Sequence, residues 1–70
     1  MTNGELLRRV ITDRGVTITA IAKKLGCSRP RVYNILDGRE CMASEISTIS
    51  DMLRLTAKEK NDIFFANKVV

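Results

Sequence analysis

The stretch ITAIAKKLGCSRPRVYNILDG, residues 18–38, decides the fold of this chain. Apolar residues recur there at helical spacing on both sides of Gly26, at Ile21, Leu25, Val32 and Ile35. Gly26 can adopt a positive φ at little steric cost, so it is suited to end one helix and turn the chain. The pattern therefore predicts a helix over residues 18–25, a tight turn, and a second helix over about residues 29–36.

The residues around the turn fit two short helices that cross at a steep angle. Ala22 is small enough to let the backbones approach, and Cys27 places a small, semi-apolar side chain at the corner. Ser28 can cap the second helix by accepting a bond from a backbone N–H. Pro30 falls in the first turn of that helix, where a missing N–H does no harm. With Gly38 closing the second helix, this is the layout of a helix-turn-helix, whose second helix enters the major groove of DNA.

Capping patterns and apolar spacing predict three further helices around this unit. Thr2 and Glu5 have the spacing of a capping box that opens a first helix. Thr17 is the expected N-cap of the helix that begins at residue 18. Thr56 and Glu59 form a second capping box, which opens a last helix through about residue 66. A fourth helix is expected to begin at residue 43 or 44, and no strand pattern is present. The predicted fold class is therefore all-α, with five helices in a single domain over residues 1–70.

Two sets of apolar residues follow from these helices. The predicted core consists of Leu7, Val10, Ile11, Val16, Ile21, Ala22, Leu25, Val32, Ile35, Leu36, Ile46, Ile49 and Leu53. Because neighbouring residues lie about 100° apart on a helix, we expect one of Phe64 and Phe65 to cover the core and the other to be exposed. A self-association patch is therefore expected within residues 57–70, formed by Ile63, Phe64, Phe65, Val69 and Val70.

The composition excludes several classes of function. No apolar run approaches the roughly 18 residues of a membrane span, and MTNGELLRR is not a signal peptide, so we expect a cytoplasmic protein. Cys27 and Cys41, in a chain without histidine, predict two reduced thiols and neither a disulfide framework nor a zinc site. We find no catalytic constellation, so we expect no enzyme, no cofactor and no small-molecule ligand.

The distribution of charge points to a polyanion partner. The net charge is +4, yet residues 1–39 hold eight Lys or Arg against three acids, whereas residues 40–70 hold four against five. Arg29, Arg31 and Arg39 bracket one predicted helix, which favours a nucleic acid over a merely solvated face. For Lys23 and Lys24 alone, a solvated helix face is the better interpretation.

The chain resembles the Cro and phage-repressor class of helix-turn-helix proteins, a five-helix family that includes the xenobiotic-response-element regulators. The resemblance covers about residues 4–55 and is carried by Ala22, Gly26, Val32, Ile35 and Gly38. Residues 55–65 resemble the tail of small repressor-like proteins from phages and prophages of low-GC Gram-positive bacteria. The resemblance implies a lambda-repressor-like fold and a repressor. Because one such module contacts too few base pairs to select a site in a genome, we expect it to bind an inverted-repeat operator as a homodimer.

The resemblance also implies which residues contact double-stranded DNA. They lie at the start of helix two, along the recognition helix and in the loop after it: Thr17, Thr19, Ser28, Arg29, Pro30, Arg31, Tyr33, Asn34 and Arg39. Ile18 stands where many members of the family carry Gln, which removes one expected phosphate contact. Ile11 and Leu36 stand where some members pair Arg with Glu, and we expect this apolar pair to touch.

Chemistry suggests a role for each type of side chain in this set. Arg29 is the candidate for direct readout, because its guanidinium matches O6 and N7 of guanine, a pairing worth about 1–3 kcal/mol of discrimination. Asn34 suits adenine or a phosphate, while Arg31 and Arg39 are expected to bind phosphates, which set affinity and register. Tyr33 either reaches a phosphate with its hydroxyl or is a half-buried packing residue.

Two questions stay open at this point. Ser28 either caps the recognition helix only or contacts DNA as well. The role of Pro30 is narrower, since it cannot donate a hydrogen bond but can touch a thymine methyl. The second question is the function itself. The alternative function is a protein-interaction module of the antitoxin or anti-repressor type, which has the same fold but does not bind DNA. Loss of salt-sensitive DNA affinity would support that alternative.

Overall fold

The computed structural model describes residues 2–65, which form five α-helices and no strand. The helices are α1 (Gly4–Asp13), α2 (Ile18–Leu25), α3 (Arg29–Leu36), α4 (Ala43–Leu53) and α5 (Ala57–Phe64). The all-α fold class is confirmed, and α2 and α3 have the expected bounds. The described part of α5 ends at Phe64 with Phe65 as its C-cap, and the expected end near Ala66 lies outside the described residues.

The turn between α2 and α3 has the backbone that the sequence predicts. Gly26 ends α2 in the left-handed region, with a φ of 71°. The hydroxyl of Thr17 caps the start of α2 by accepting the N–H of Ala20 at 3.1 Å. Ser28 is the N-cap of α3 by position, but its side chain makes no capping hydrogen bond. The expected capping bond from Ser28 is therefore wrong, whereas Pro30 does lie in the first turn of α3.

The N-terminal segment differs from the expected capping box. Asn3, not Thr2, is the N-cap of α1, and its side-chain oxygen accepts the N–H of Leu6 at 3.1 Å. The backbone N–H of Asn3 also donates to the carbonyl oxygen of Ile63 at 2.6 Å, which ties the segment to α5. Thr2 is thereby drawn into the interior, where its side chain is buried instead of capping a helix.

The core is largely the predicted one and lies among all five helices. The buried residues that the sequence predicted are Leu7, Val10, Ile11, Ile21, Ala22, Val32, Ile35, Leu36, Ile49 and Leu53. Three others, Val16, Leu25 and Ile46, are only partly buried and pack against its edge. Ile11 and Leu36 belong to this one buried cluster, on helices that pack together.

Two of the apolar residues expected to form a self-association patch are buried within the single chain instead. Ile63 is 0% exposed and Phe64 is 5% exposed, so both belong to the core of the single chain. They are buried because α5 packs against α1 and closes that side of the core. Phe65 is half-buried, while Val69 and Val70 lie outside the described residues. The core of a 70-residue chain thus uses side chains that the sequence suggested for a partner.

Candidate nucleic-acid interface

One side of helix α3 packs in the core and the opposite side is exposed to solvent. Val32, Ile35 and Leu36 are buried and hold the helix against the rest of the protein. The opposite side consists of exposed side chains, namely Arg29, Pro30, Tyr33 and Asn34. The outer surface of α3 is therefore made of residues that were predicted to contact DNA.

The remaining predicted contacts lie at the ends of neighbouring elements. Thr17 and Thr19 are exposed at the start of α2, Ser28 is exposed just before α3, and Arg39 is exposed just after it. The hydroxyl of Thr17 already accepts the N–H of Ala20, but a hydroxyl can still donate to a phosphate oxygen. Eight of the nine candidates are thus available to a large ligand, and Arg31 is the exception.

Arg31 is held by the protein itself. Its Nε donates to Oε2 of Glu45 at 3.1 Å, and its Nη2 donates to Oε1 of Glu45 at 2.7 Å. The same Nη2 lies 3.3 Å from the carbonyl oxygen of Glu40, to which it also donates. The structure thus changes the role expected of Arg31, because its charge is paired with a carboxylate and its Nε and Nη2 donate to groups of the fold.

Glu45 is the carboxylate that sequence analysis missed. Its side chain is only 8% exposed, on the first turn of α4, and its Oε1 also accepts the N–H of Met42 at 2.8 Å. The hydrogen bond from Arg31 lowers the pKa of Glu45 although burial opposes this, and the same bond raises the pKa of Arg31. An acid three residues after an N-cap position signals the bond to Met42, but no sequence pattern signals a partner 14 residues away.

The loop after α3 is fastened at two neighbouring carbonyl groups. The hydroxyl of Thr2 donates to the carbonyl oxygen of Arg39 at 3.0 Å, and Arg31 donates to that of Glu40. These bonds come from different parts of the chain, so they restrain the backbone of the loop from two sides. The exposed side chain of Arg39 therefore extends from a held backbone.

Within residues 2–65, two arginines of the candidate surface have no ion-pair partner. The ion pairs within residues 2–65 are Arg14–Glu59, Arg31–Glu45 and Lys58–Asp62. Neither Arg29 nor Arg39 takes part in any of them. Uncompensated guanidinium groups on and beside an exposed helix favour a polyanionic ligand.

The described residues also show how the acidic side chains, the two thiols and the helices are arranged. Residues 2–65 contain no group of three or more Cys, Asp or Glu side chains placed to hold a metal ion. Cys27 and Cys41 are free, half-buried thiols, and burial raises the pKa of Cys41 to about 11. None of the five described helices is both long and apolar enough to span a membrane.

Comparison with known proteins places the helix-turn-helix in a family. Residues 5–40 match the family model described as the Homeodomain-like domain. No curated protein and no solved structure matches the chain. The matched segment runs from α1 through the turn and α3 to the loop that carries Arg39, so it contains the whole candidate surface. Since this match spans just over half of the sequence, the chain belongs to the homeodomain-like family of helix-turn-helix DNA-binding domains.

Proposed function

We propose that this protein is a sequence-specific transcriptional regulator that binds double-stranded DNA with α3 in the major groove. The observation that carries the proposal is the composition of the exposed side of α3. Arg29, Pro30, Tyr33 and Asn34 stand there in solvent, while Val32, Ile35 and Leu36 anchor the other side. Readout of base edges requires a helix that is held rigidly and presents hydrogen-bonding groups to the groove. The guanidinium of Arg29 and the side-chain amide of Asn34 are such groups.

Each exposed residue has a role in this proposal. Arg29, which has no ionic partner within residues 2–65, donates both arms of its guanidinium to guanine, and Asn34 pairs with adenine. Thr17, Thr19 and Arg39 bind phosphates on either side of the groove and set the register of the helix. Because Ser28 makes no capping bond, its hydroxyl is available to DNA, and Pro30 and Tyr33 contact the groove beside Arg29.

The proposed regulator is a repressor of the Cro-like phage or prophage type that binds an inverted repeat as a dimer. One module of this size contacts too few base pairs to select a single site among genomic competitors. Two copies related by a two-fold axis place their recognition helices about 34 Å apart and double the specified sequence. Since Ile63 and Phe64 are buried in the single chain, we propose that the two copies meet on DNA through other surfaces.

The experiment that tests this proposal is selection of binding sites from a random-sequence duplex library. Wild-type protein is compared with Arg29→Ala and with the matched control Lys58→Ala, which removes one exposed positive charge from α5. Binding is measured at about 50 and about 200 mM salt, because phosphate contacts make affinity fall steeply with salt. We expect a palindromic site, relaxed at one base pair in each half by Arg29→Ala and unchanged by Lys58→Ala.

One result of this selection would contradict DNA recognition. Weak binding by all three proteins, without enrichment of any sequence, would contradict the proposal. It would instead support the protein-interaction module, in which the same fold has lost DNA recognition.

A further inference from the structure

We infer that Glu45 is a positioning residue for DNA recognition, which acts through Arg31 to hold the first turn of the recognition helix. The inference rests on the proposed function and deepens it. Glu45 lies on α4, outside the helix-turn-helix, and is too buried to contact DNA. Its influence on base recognition would therefore be indirect.

The geometry of the pair makes it a rigid connection between two helices. Two parallel hydrogen bonds, of 3.1 and 2.7 Å, join the guanidinium of Arg31 to both oxygens of Glu45. Bidentate pairing fixes the plane of the guanidinium as well as its distance, which a single hydrogen bond does not do. Arg31 directly follows Arg29 and Pro30 in the chain. The ion pair therefore connects the first turn of α3, which carries the proposed base contacts, to α4.

The carboxylate is itself held in place at its own end. Oε1 of Glu45 accepts the N–H of Met42 at 2.8 Å, on the loop that leads into α4. Arg31 also donates to the carbonyl oxygen of Glu40 on the same loop. One buried carboxylate thus links α3, the loop after it and the first turn of α4 into one unit.

This arrangement separates specificity from general affinity for DNA. Because the charge of Arg31 is balanced by Glu45, the pair adds little to the attraction of phosphates. Its contribution is to orientation, and base-edge hydrogen bonds lose their energy when the helix is misplaced. Neutralising Glu45 should therefore weaken recognition of the correct sequence and leave non-specific binding intact or stronger.

The chain offers a closely matched control in Glu59. Glu59 occupies the corresponding position in the first turn of α5 and accepts the N–H of Thr56 at 2.9 Å. Both of its oxygens accept from Nη2 of Arg14, at 3.0 and 2.9 Å. This pair joins α5 to the end of α1, so it resembles Arg31–Glu45 in chemistry but does not involve α3.

The test compares Glu45→Gln with Glu59→Gln at a temperature where circular dichroism shows both variants folded. Dissociation constants are measured for the duplex that wild-type protein selects and for a duplex of scrambled sequence. We expect Glu45→Gln to lower the ratio of the two affinities by at least about fivefold, the smallest loss expected for one good base contact. The affinity for the scrambled duplex should stay the same or increase, because Arg31 is then an uncompensated cation. Glu59→Gln should keep the wild-type ratio.

A merely structural role would give a different result. Loss of folded protein lowers the apparent affinity for both duplexes by the same factor and leaves their ratio unchanged. Arg31→Lys serves as a second variant, since it keeps the charge but loses the bidentate geometry, and it should lower the ratio in the same direction.

Three outcomes would overturn the inference. The first is a wild-type ratio of the two affinities in both Glu45→Gln and Arg31→Lys. The second is a loss of this ratio in Glu59→Gln as large as that in Glu45→Gln. Either result would leave the proposed function in place. A wild-type protein that prefers no sequence would overturn the proposed function and the inference together.

Discussion

The hydroxyl of Thr2 donates a hydrogen bond to the carbonyl oxygen of Arg39, 3.0 Å away and 37 positions later in the chain. Thr2 is buried and Arg39 is exposed, so this bond is partly shielded from water. It joins the residues before α1 to the loop after α3. The candidate DNA-binding surface therefore depends on a residue that does not itself reach that surface.

Replacing this hydroxyl by a methyl group should weaken the attachment of the loop. Thr2→Val keeps the shape of the side chain but leaves the carbonyl oxygen of Arg39 without its donor. We expect the free energy of unfolding to fall by about 0.5–1.5 kcal/mol, the net contribution of a typical hydrogen bond. Chemical denaturation measures this change, and Thr2→Ser, which keeps the hydroxyl, serves as the control. Equal stability of Thr2→Val and wild type would show that the bond contributes nothing.

Gly4→Ala should destabilise the protein, although alanine normally favours a helix by about 1 kcal/mol over glycine. A methyl group at Gly4 would collide with the backbone carbonyl of Leu36, at the end of α3. Because backbone atoms cannot rotate away, α1 would have to move from α3, at a cost of about 1–3 kcal/mol. Thermal unfolding followed by circular dichroism tests the sign, and an increase in the melting temperature would contradict the close approach.

Phe64→Ala should unfold the protein more readily at every protein concentration. Its side chain is buried in the single chain, so we expect a loss of about 3–5 kcal/mol in the free energy of unfolding. Phe65→Ala, at a half-buried position, should cost less. Denaturation at two protein concentrations checks this, because a role confined to self-association would leave the stability of the dilute protein unchanged.

Stability should fall in acid as two glutamates become protonated. Hydrogen bonds from Arg31 lower the pKa of Glu45, and the backbone N–H of Thr56 followed by Arg14 lowers that of Glu59. A pKa that is lower in the folded state means that the unfolded chain binds protons first as the pH falls. The stabilisation is therefore complete above the ordinary value near 4.5 and is lost as the pH falls through the lower folded values.

The measurement is the melting temperature between about pH 6 and pH 3, in wild-type protein and in the Glu45→Gln/Glu59→Gln double variant. The double variant should be less stable near neutral pH and should lose less stability on acidification. Parallel curves for the two proteins would contradict the assignment to these carboxylates.

Arg39→Ala should weaken binding to all DNA sequences alike. Its exposed guanidinium has no ionic partner among residues 2–65, and we propose that it contacts a phosphate. We expect the slope of log affinity against log salt to become shallower by about 1, with the preferred sequence unchanged. Titrations at several salt concentrations check this. A changed sequence preference with an unchanged slope would instead assign Arg39 to a base contact.

Much of this fold could be predicted from the sequence because the signals are local. The bounds of α2 and α3, the left-handed Gly26 and the cap at Thr17 depend on residues only a few positions apart. Periodicity also predicts that Val32, Ile35 and Leu36 face the core, whereas the exposed Arg29 and Asn34 were chosen as DNA contacts because of the family resemblance.

Other features were decided only by the tertiary structure. A sequence pattern cannot show that Arg31 meets a carboxylate 14 positions away, since this depends on how α4 packs beside α3. The same holds for Thr2, which could have capped α1 but is instead buried against the loop after α3. Apolar Ile63 and Phe64 were suited to a partner surface or to a core, and the packing of α5 against α1 buries them. Helix periodicity and capping act over one or two turns, whereas the pairing of charges and the burial of a helix face depend on which distant segments the folded chain brings together.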